Sequence, residues 1–485
     1  MTGKDKILAF CPNPVAIGLM PEHYANHCHY CLVKRTKDEL KRCTGCYFAR
    51  YCSGKCQKED WQSLHKLECK QVKQSQYFQE TETAIQQAVN GQTNAALALL
   101  TFHVYVLAKH DLLKGLTGTF TGRTYNDLMS HEIDIRKSPS KMTLFRGTNQ
   151  LILGDLREST DKALDMKKSQ EMFDHFCKVA INSHSLYEWD QDGNCEQIAL
   201  ALSLDISAYD HSCRPNADLY TRGRSTYVIP VETDTDVLNS KTTFIPYVNL
   251  MAPRWARQRF LKNNYFFDCQ CVRCVAKDDD FLTSVKCENC KAAVNLEEKS
   301  AVKSTTDDPD FTVTCSACRE KLRSDWLDEA LTVMTTLRQN LGAGCPTDES
   351  GKEAEKMAHV QEQMANLSLK KQLEYLVKLK TQAEITLPSC NVYYSLLMAK
   401  MAQFKGKHRA ECALKYYTSV RLTYPKHYGR TLLTEGMWAV NILYEAEEKT
   451  VLKKVLHEIK DAVDSYFILG GCPFLDRIYY IRDRV

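Results

Sequence analysis

The sequence has no apolar run long enough to cross a membrane. Its most apolar stretch, Ala95 to Ala108, is about 14 residues long and contains His103; a spanning helix needs about 20, so the stretch predicts a buried helix. No secretory signal is visible, which argues against an oxidising compartment and points to the reducing cytosol or nucleus. Charge of one sign is also scarce. A formal net charge of +4 over 485 residues, with the basic residues spread out, speaks neither for nor against nucleic-acid binding. What the chain does have is cysteine, 22 in all, and 44% apolar residues, enough for two to four domains with their own cores.

Seven of those cysteines and one histidine stand at ordered spacing: Cys28, Cys31, Cys43, Cys46, Cys52, Cys56, His65 and Cys69. Two-residue gaps let both thiolates of a pair reach one ion, and zinc takes four such ligands in a tetrahedron. Eight ligands make two closed sites with no position for water or substrate, which is a structural role. A disulfide framework is the rival reading, but it belongs to small secreted chains. From Cys28 to Lys70 ten Lys or Arg face five Asp or Glu. This basic face could attract acidic partners or phosphates, including those of DNA, and reads equally well as a solvated surface.

Two further constellations follow. Cys269, Cys271 and Cys274 supply three thiolates, one short of a tetrahedral site, and Cys213 in Asp210-His211-Ser212-Cys213-Arg214-Pro215-Asn216 is the candidate fourth. Cys287, Cys290, Cys315 and Cys318 form a self-contained ribbon-type site whose long gap holds the polar loop Lys303 to Asp310. Four zinc ions are therefore expected. The remaining cysteines, such as Cys390 and Cys412, read as small apolar packing.

Between these motifs the texture changes several times. Residues 1–27 carry strand-like apolar stretches, with Pro12 to Leu19 reading as one strand. Residues 70–110 read as helix and 111–180 as further helices and loops. Strand-like runs follow from Asn182 to Tyr247, among them Thr226 to Val231 after a turn at Arg222-Gly223-Arg224. Beyond Cys318 the pattern is helical. Trp326, Leu327, Ala330, Leu331, Met334 and Leu337 share one stripe, Pro346 to Lys356 reads as a loop, and a helix runs through Leu369, Leu373, Leu376 and Leu379. Val392 to Phe404 and Ala410 to Tyr424, broken at Gly406, predict an antiparallel pair; the stack has no clean 34-residue repeat.

The eight-ligand cluster, with Tyr51 before Cys52, Trp61 after Cys56 and a final His-x3-Cys, resembles the MYND zinc finger. That resemblance implies interleaved sites, Cys28, Cys31, Cys52 and Cys56 on one ion and Cys43, Cys46, His65 and Cys69 on the other, and a surface for short proline-rich peptides. The order of this finger, the H-S-C-x-P-N segment, Tyr247, and Phe266-Phe267-Asp268-Cys269-Gln270-Cys271-Val272-Arg273-Cys274 resembles the SMYD group of SET-domain lysine methyltransferases. The implied fold is a multidomain α+β chain: a short N-terminal part of the SET domain at 1–27, the finger at 28–69, a helical linker and SET insertion at 70–181, and the core SET domain at 182–250. A post-SET zinc site with a ribbon-like segment occupies 251–320, and a TPR-like helical domain 321–485.

The same resemblance implies S-adenosylmethionine as methyl donor, with cofactor and lysine meeting through a narrow channel. Tyr247 matches the channel tyrosine, Tyr265 another channel wall, Phe267 the aromatic over the adenine, and Asn182, Asp210 and His211 the cofactor-contacting positions. Taken alone, Tyr247 would read as core or surface and Phe267 as packing beside a metal site. Four features depart from the family. No glycine-x-glycine turn precedes Cys28, and with 27 residues before the finger the first strand pair is expected to be missing. Asp210 replaces an asparagine, exchanging an amide donor for a group that, ionised, only accepts. Asn239-Ser240-Lys241-Thr242-Thr243 replaces G-E-E-L-T with Pro246 before the tyrosine, and His184 stands where an aromatic is usual. Two functions are compatible with this pattern: a protein-lysine methyltransferase acting on histone or non-histone protein in nucleus and cytoplasm, or a catalytically impaired adaptor recruiting partners in chromatin regulation. Nothing in the sequence demands more than a monomer.

Overall fold

The computed structural model describes residues 9–74, 78, 92–153, 162–190, 192, 194–231, 234–277, 279–296, 312–341, 352–423, 429–467 and 475–484. Two strands precede the first cysteine cluster, β1 (Ala9–Cys11) and β2 (Ala16–Leu19), and two short ones lie inside it, β3 (Lys41–Arg42) and β4 (Arg50–Tyr51). After a helical stretch come β5 (Ser183–Trp189), β6 (Cys195–Leu202), β7 (Asp210–His211), β8 (Ala217–Arg222), β9 (Ser225–Pro230) and β10 (Phe244–Ile245). The pair β11 (Val285–Lys286) and β12 (Ala293–Val294) ends the strand inventory of the described residues. They form the sheets β2-β6-β5 and β1-β9-β8 and the pairs β3-β4, β11-β12 and β7-β10, the last being parallel.

The run Pro12 to Leu19 is thus a strand only from Ala16. Pro12 and Pro14 offer no N–H to a ladder, so the chain breaks there and passes from the sheet of β9 to that of β6. The β8–β9 hairpin turns where the sequence places it, with Gly223 at φ +56° supplying the left-handed conformation. Gly18 on β2 is required for a different reason: a Cβ there would lie 2.1 Å from the carbonyl oxygen of Ala96. The apolar stretch from Ala95 is indeed a buried helix, Gln92–Lys109, and β2 rests directly on its backbone. Among the described residues no helix is long and apolar enough to cross a membrane.

Helices Glu132–Lys137, Pro139–Leu153 and Lys162–Asn182 fill the span before β5. At the C-terminal end the stripe on Ser324–Leu341 buries Leu327, Ala330, Leu331, Met334 and Leu337 as its spacing predicts, with Trp326 half-buried beside them. Leu376 and Leu379 are buried on Leu369–Thr386, whereas Leu369 at its start is exposed. Val392–Ala402 and Arg409–Thr423 pack as a pair across Gly406. One correction concerns Pro346 to Lys356: Lys352 to Lys356 open a helix, Lys352–Ala365, while 346–351 and the loop Lys303 to Asp310 lie outside the described residues. Trp189, Tyr220 and Ile229 of the sheets share a core with Met437, Val440 and Ile459 of the C-terminal helices, so the helical region is docked on the strands.

Candidate active site and metal centres

Four groups of side chains gather their ligand atoms within 4.8 Å of one another: Cys28, Cys31, Cys52 and Cys56; Cys43, Cys46, His65 and Cys69; Cys213, Cys269, Cys271 and Cys274; Cys287, Cys290, Cys315 and Cys318. The Sγ–Sγ separations decide between metal and disulfide. They are 3.6 Å for Cys31–Cys52 and Cys52–Cys56, 3.8 Å for Cys43–Cys69, and 3.6 Å for Cys213–Cys274, Cys287–Cys318 and Cys290–Cys315. Zinc–sulfur bonds of about 2.3 Å make tetrahedron edges of roughly 3.8 Å; a disulfide would bring the sulfurs to about 2.05 Å. The donor sets fit zinc, and the finger's two groups interleave.

Supporting partners that spacing could not reveal surround these groups. His65 turns Nε2 toward Cys46 Sγ (3.5 Å) and gives Nδ1–H to Glu68 Oε1 (3.0 Å), the outer-shell arrangement that fixes a ligating imidazole. Glu68 Oε2 lies 3.2 Å from His103 Nε2, and His103 Nδ1 donates to the Ile17 carbonyl at 2.7 Å. The finger is thereby linked through a buried polar chain to β2. At the third group the fully buried Arg257 donates Nε–H to Cys213 Sγ (3.2 Å) and pairs with Asp279, which Arg273 also meets at 2.9 Å.

Cys213 joins this third group to the segment carrying His211. His211 Nδ1 accepts the backbone N–H of Tyr247 at 3.0 Å, and its Nε2 is 3.2 Å from Cys213 Sγ. Asn216 closes the motif by giving Nδ2–H to the Thr242 carbonyl (2.9 Å) and accepting Phe244 N–H at Oδ1 (2.8 Å). One short segment thus holds a metal group, the β7–β10 pair and the tyrosine.

Tyr247 donates its hydroxyl to the Tyr209 carbonyl, and its ring lies 4.8 Å from that of Tyr265 and 5.3 Å from that of His211. Phe267 is 6.3 Å from His211. Burial pushes the Tyr247 phenol well above its usual range and that of Tyr265 up to about 12, so both stay un-ionised at neutral pH. The structure therefore brings Tyr247, His211, Tyr265 and Phe267 together. Asp210 lies in β7 with its side chain exposed. Asn182 is the last residue of its helix, and its Nδ2 donates to the carbonyls of Met129 and Lys178, both at 2.7 Å. The described contacts do not join it to Tyr247. They attach it instead to the Met129–His131 segment, whose His131 ring lies 5.3 Å from Phe266. Nothing in the spacing pointed to that segment; its one mark, the positive φ of His131 (46°), is visible only in three dimensions.

Residues 28–69 match the MYND finger family. Human N-lysine methyltransferase SMYD2 is 26% identical over 274 residues, 56% of this chain and 56% of its own. Human histone-lysine N-methyltransferase SMYD3 is 25% identical over 284 residues, 56% of this chain and 57% of its own. SMYD2-B of Xenopus laevis is 24% identical over 277 residues, 57% of this chain and 56% of its own. Over these matches the chain is similar to proteins of the SMYD family. It spans about half the length of the curated relatives it matches.

The departures at 239–243 and 184 are structurally accommodated. Asn239 to Thr243 form a turn in which Thr243 Oγ1–H bonds the Asp236 carbonyl at 2.8 Å and Lys241 N–H bonds Asn239 Oδ1 at 3.1 Å, delivering Phe244 to its pairing with Asp210. His184 sits on β5 with Nε2 3.0 Å from Thr226 Oγ1, and burial lowers its pKa to about 4. The folded state thus favours neutral imidazole, and the unfolded chain takes a proton near pH 6.5. The resulting stability is complete above that pH and is lost as pH falls toward 4. Lowering the pH from 7 to 5 should reduce the urea midpoint of the native chain more than that of a His184→Gln variant; equal reductions would remove this role.

Proposed function

We propose that the chain is a protein-lysine N-methyltransferase with a SET-type catalytic region, using S-adenosylmethionine and holding four structural zinc ions, with a TPR-like helical domain beside the site. The observation that carries this reading is the grouping of Tyr247, His211, Tyr265 and Phe267, tied through Cys213 to a zinc-type cluster. The named relatives are lysine methyltransferases, which speaks for catalysis over an adaptor role. Bound S-adenosylmethionine supplies a methyl group on a cationic sulfonium. Aromatic rings and un-ionised phenols suit a cation and keep water away from the lysine amine. Tyr247, its proton committed to Tyr209, orients rather than ionises. The chemistry asks for in-line alignment of amine and methyl more than for an acid or base.

The substrate is a lysine on a histone or another protein. The finger takes a proline-rich or acidic partner, with DNA phosphates a weaker claimant, and the chain acts as a monomer in nucleus and cytoplasm. Calorimetric titration with S-adenosylmethionine tests the reading: heat of binding is expected, and none from this chain or from one extended upstream would overturn it. Tyr247→Phe should slow methyl transfer roughly 100-fold, the usual cost of one positioned hydroxyl in the transition state, with zinc content and circular dichroism unchanged. Metal analysis should return four zinc ions per chain, two of them in the finger.

A further inference from the structure

Residues 117–124, Thr-Gly-Thr-Phe-Thr-Gly-Arg-Thr, are exposed or half-buried apart from Gly118. Surface loops of small polar residues are ordinarily among the loosest parts of a fold, yet this one is fastened. Its ends pair at Thr117 and Thr124, and the Gly118 N–H donates to the Arg123 carbonyl at 2.8 Å. The carboxylate of Asp205, 4% exposed, accepts the backbone N–H groups of Thr119 (2.7 Å), Phe120 (3.3 Å) and Thr121 (3.1 Å) and the Thr121 hydroxyl (2.7 Å). An ionised carboxylate has about four acceptor sites, so the loop fills Asp205 with hydrogen bonds of the stronger, charge-assisted kind. Gly118 is required beside them, because a Cβ there would lie 2.4 Å from Asp205 Oδ1.

The loop reaches the candidate site through the residues that follow Asp205. The turn Ile206–Ala208 leads through Tyr209 into β7. Arg123 donates Nη1–H to the Ser207 carbonyl and Nη2–H to the Asp127 carbonyl, the latter at 3.0 Å. The Phe120 ring stands 6.4 Å from that of Tyr209. Asp205, Ser207 and Tyr209, alternate residues of one short segment, are each met by the loop. Tyr209 gives its own hydroxyl to the Val237 carbonyl, and its backbone carbonyl accepts the Tyr247 hydroxyl. A phenol O–H rotates about its C–O bond, so the acceptor decides where the proton points and where the oxygen lone pairs are left. Burial, Tyr265 and Asp210 raise the pKa of Tyr247 and Arg123 works against them, which marks the guanidinium as a near neighbour of that phenol.

The geometry points to Asp205 and Arg123 as positioning residues for Tyr247: they hold the loop 117–124 against Ser207 and Tyr209 and so fix the carbonyl toward which Tyr247 directs its hydroxyl. This role presupposes Tyr247 as the channel tyrosine of the proposed methyltransferase, and both residues act through Tyr209 rather than on the reacting atoms. A displaced carbonyl tilts the hydroxyl and leaves the aromatic walls of the site in place. The rate of transfer therefore falls while the affinities for cofactor and peptide are kept.

Two substitutions that change no charge test it in the zinc-loaded full chain. Gly118→Ala forces the Asp205 carboxylate off the loop, and Arg123→Lys keeps the cation but loses the two-pronged reach to Ser207 and Asp127. In chains carrying carbon-13 at the hydroxyl-bearing carbon of tyrosine, the Tyr247 resonance, identified by its absence in Tyr247→Phe, should move in both variants, with zinc content and circular dichroism unchanged. The kcat for methyl transfer should fall roughly tenfold in each at unaltered KM. Added to Tyr247→Phe, which has no hydroxyl to orient, Arg123→Lys should lower the rate no further. A Tyr247 resonance unmoved in both variants, or an undiminished further loss of rate on top of Tyr247→Phe, would overturn the assignment. If the resonance moves but no chain transfers a methyl group, the methyltransferase reading falls and the hold of the loop on Tyr247 stands.

Discussion

A Cys213→Ser variant is expected to carry three zinc ions instead of four and to lose S-adenosylmethionine binding as well. Cys213 is the one member of its group that comes from outside residues 269–274. Its sulfur joins the cysteine-rich tail to the strand of Asp210 and His211, while its carbonyl accepts Arg273 Nη1–H at 3.1 Å. Structural zinc contributes about 10–16 kcal/mol of binding free energy in small domains, as much as the whole stability of a typical domain, about 5–15 kcal/mol. Loss of one ligand should therefore free the tail. Phe267 stands two residues before Cys269, and His211 two residues before Cys213, so a freed tail separates the two sides of the candidate cofactor site. Zinc analysis and calorimetry on the same preparation check both halves. A variant with three ions and undiminished cofactor affinity would show that the tail does not shape the site.

The metal groups were the most legible part of the sequence because a tetrahedral ion imposes short, fixed gaps on its ligands. Cys287, Cys290, Cys315 and Cys318 could be grouped on spacing alone, and the unfinished triplet at 269–274 announced a distant fourth ligand. The interleaving in the finger was not written in the gaps; it came from resemblance to the MYND finger, and the structure has the same grouping. Illegible were the partners that act through space: Glu68 behind His65, Arg257 behind Cys213, and the Met129–His131 segment against Asn182 and Phe266. Each joins residues through the fold rather than through a periodic pattern, and single-chain spacing carries no trace of it. The misreading at Lys352 to Lys356 has another cause. A polar, charged stretch without an apolar stripe reads as a loop, although Lys, Glu and Ala are among the best helix formers. At Pro12 to Leu19 the apolar content suggests one strand, and the missing proline N–H groups confine it to Ala16–Leu19.

Arg257→Met is expected to cost about 3–5 kcal/mol of stability, the range for removing one partner of a buried ion pair, and to cost more than Asp279→Asn. The order follows from counting charge. Four thiolates around a divalent ion carry a net −2, Arg257 and Arg273 add +2, and Asp279 adds −1, with all of these side chains buried except that of Cys271, which is half-buried. Removing Arg257 leaves the buried cluster at −2 and takes the N–H donor from Cys213 Sγ. Replacing Asp279 by Asn brings the same cluster to zero and keeps an oxygen to accept from both guanidinium groups. A reading in which Asp279 only pairs with arginine, with no charge on the sulfurs, predicts the opposite order, because two buried cations would then lose their counter-ion. Urea unfolding of the two variants, each loaded with zinc, separates these cases. The Arg257 variant should unfold at the lower urea concentration, and stripping the metal should reverse or erase the difference. If Asp279→Asn proves the more damaging change in the loaded protein, the thiolate charge at the Cys213 group, and with it the metal, is in the wrong place.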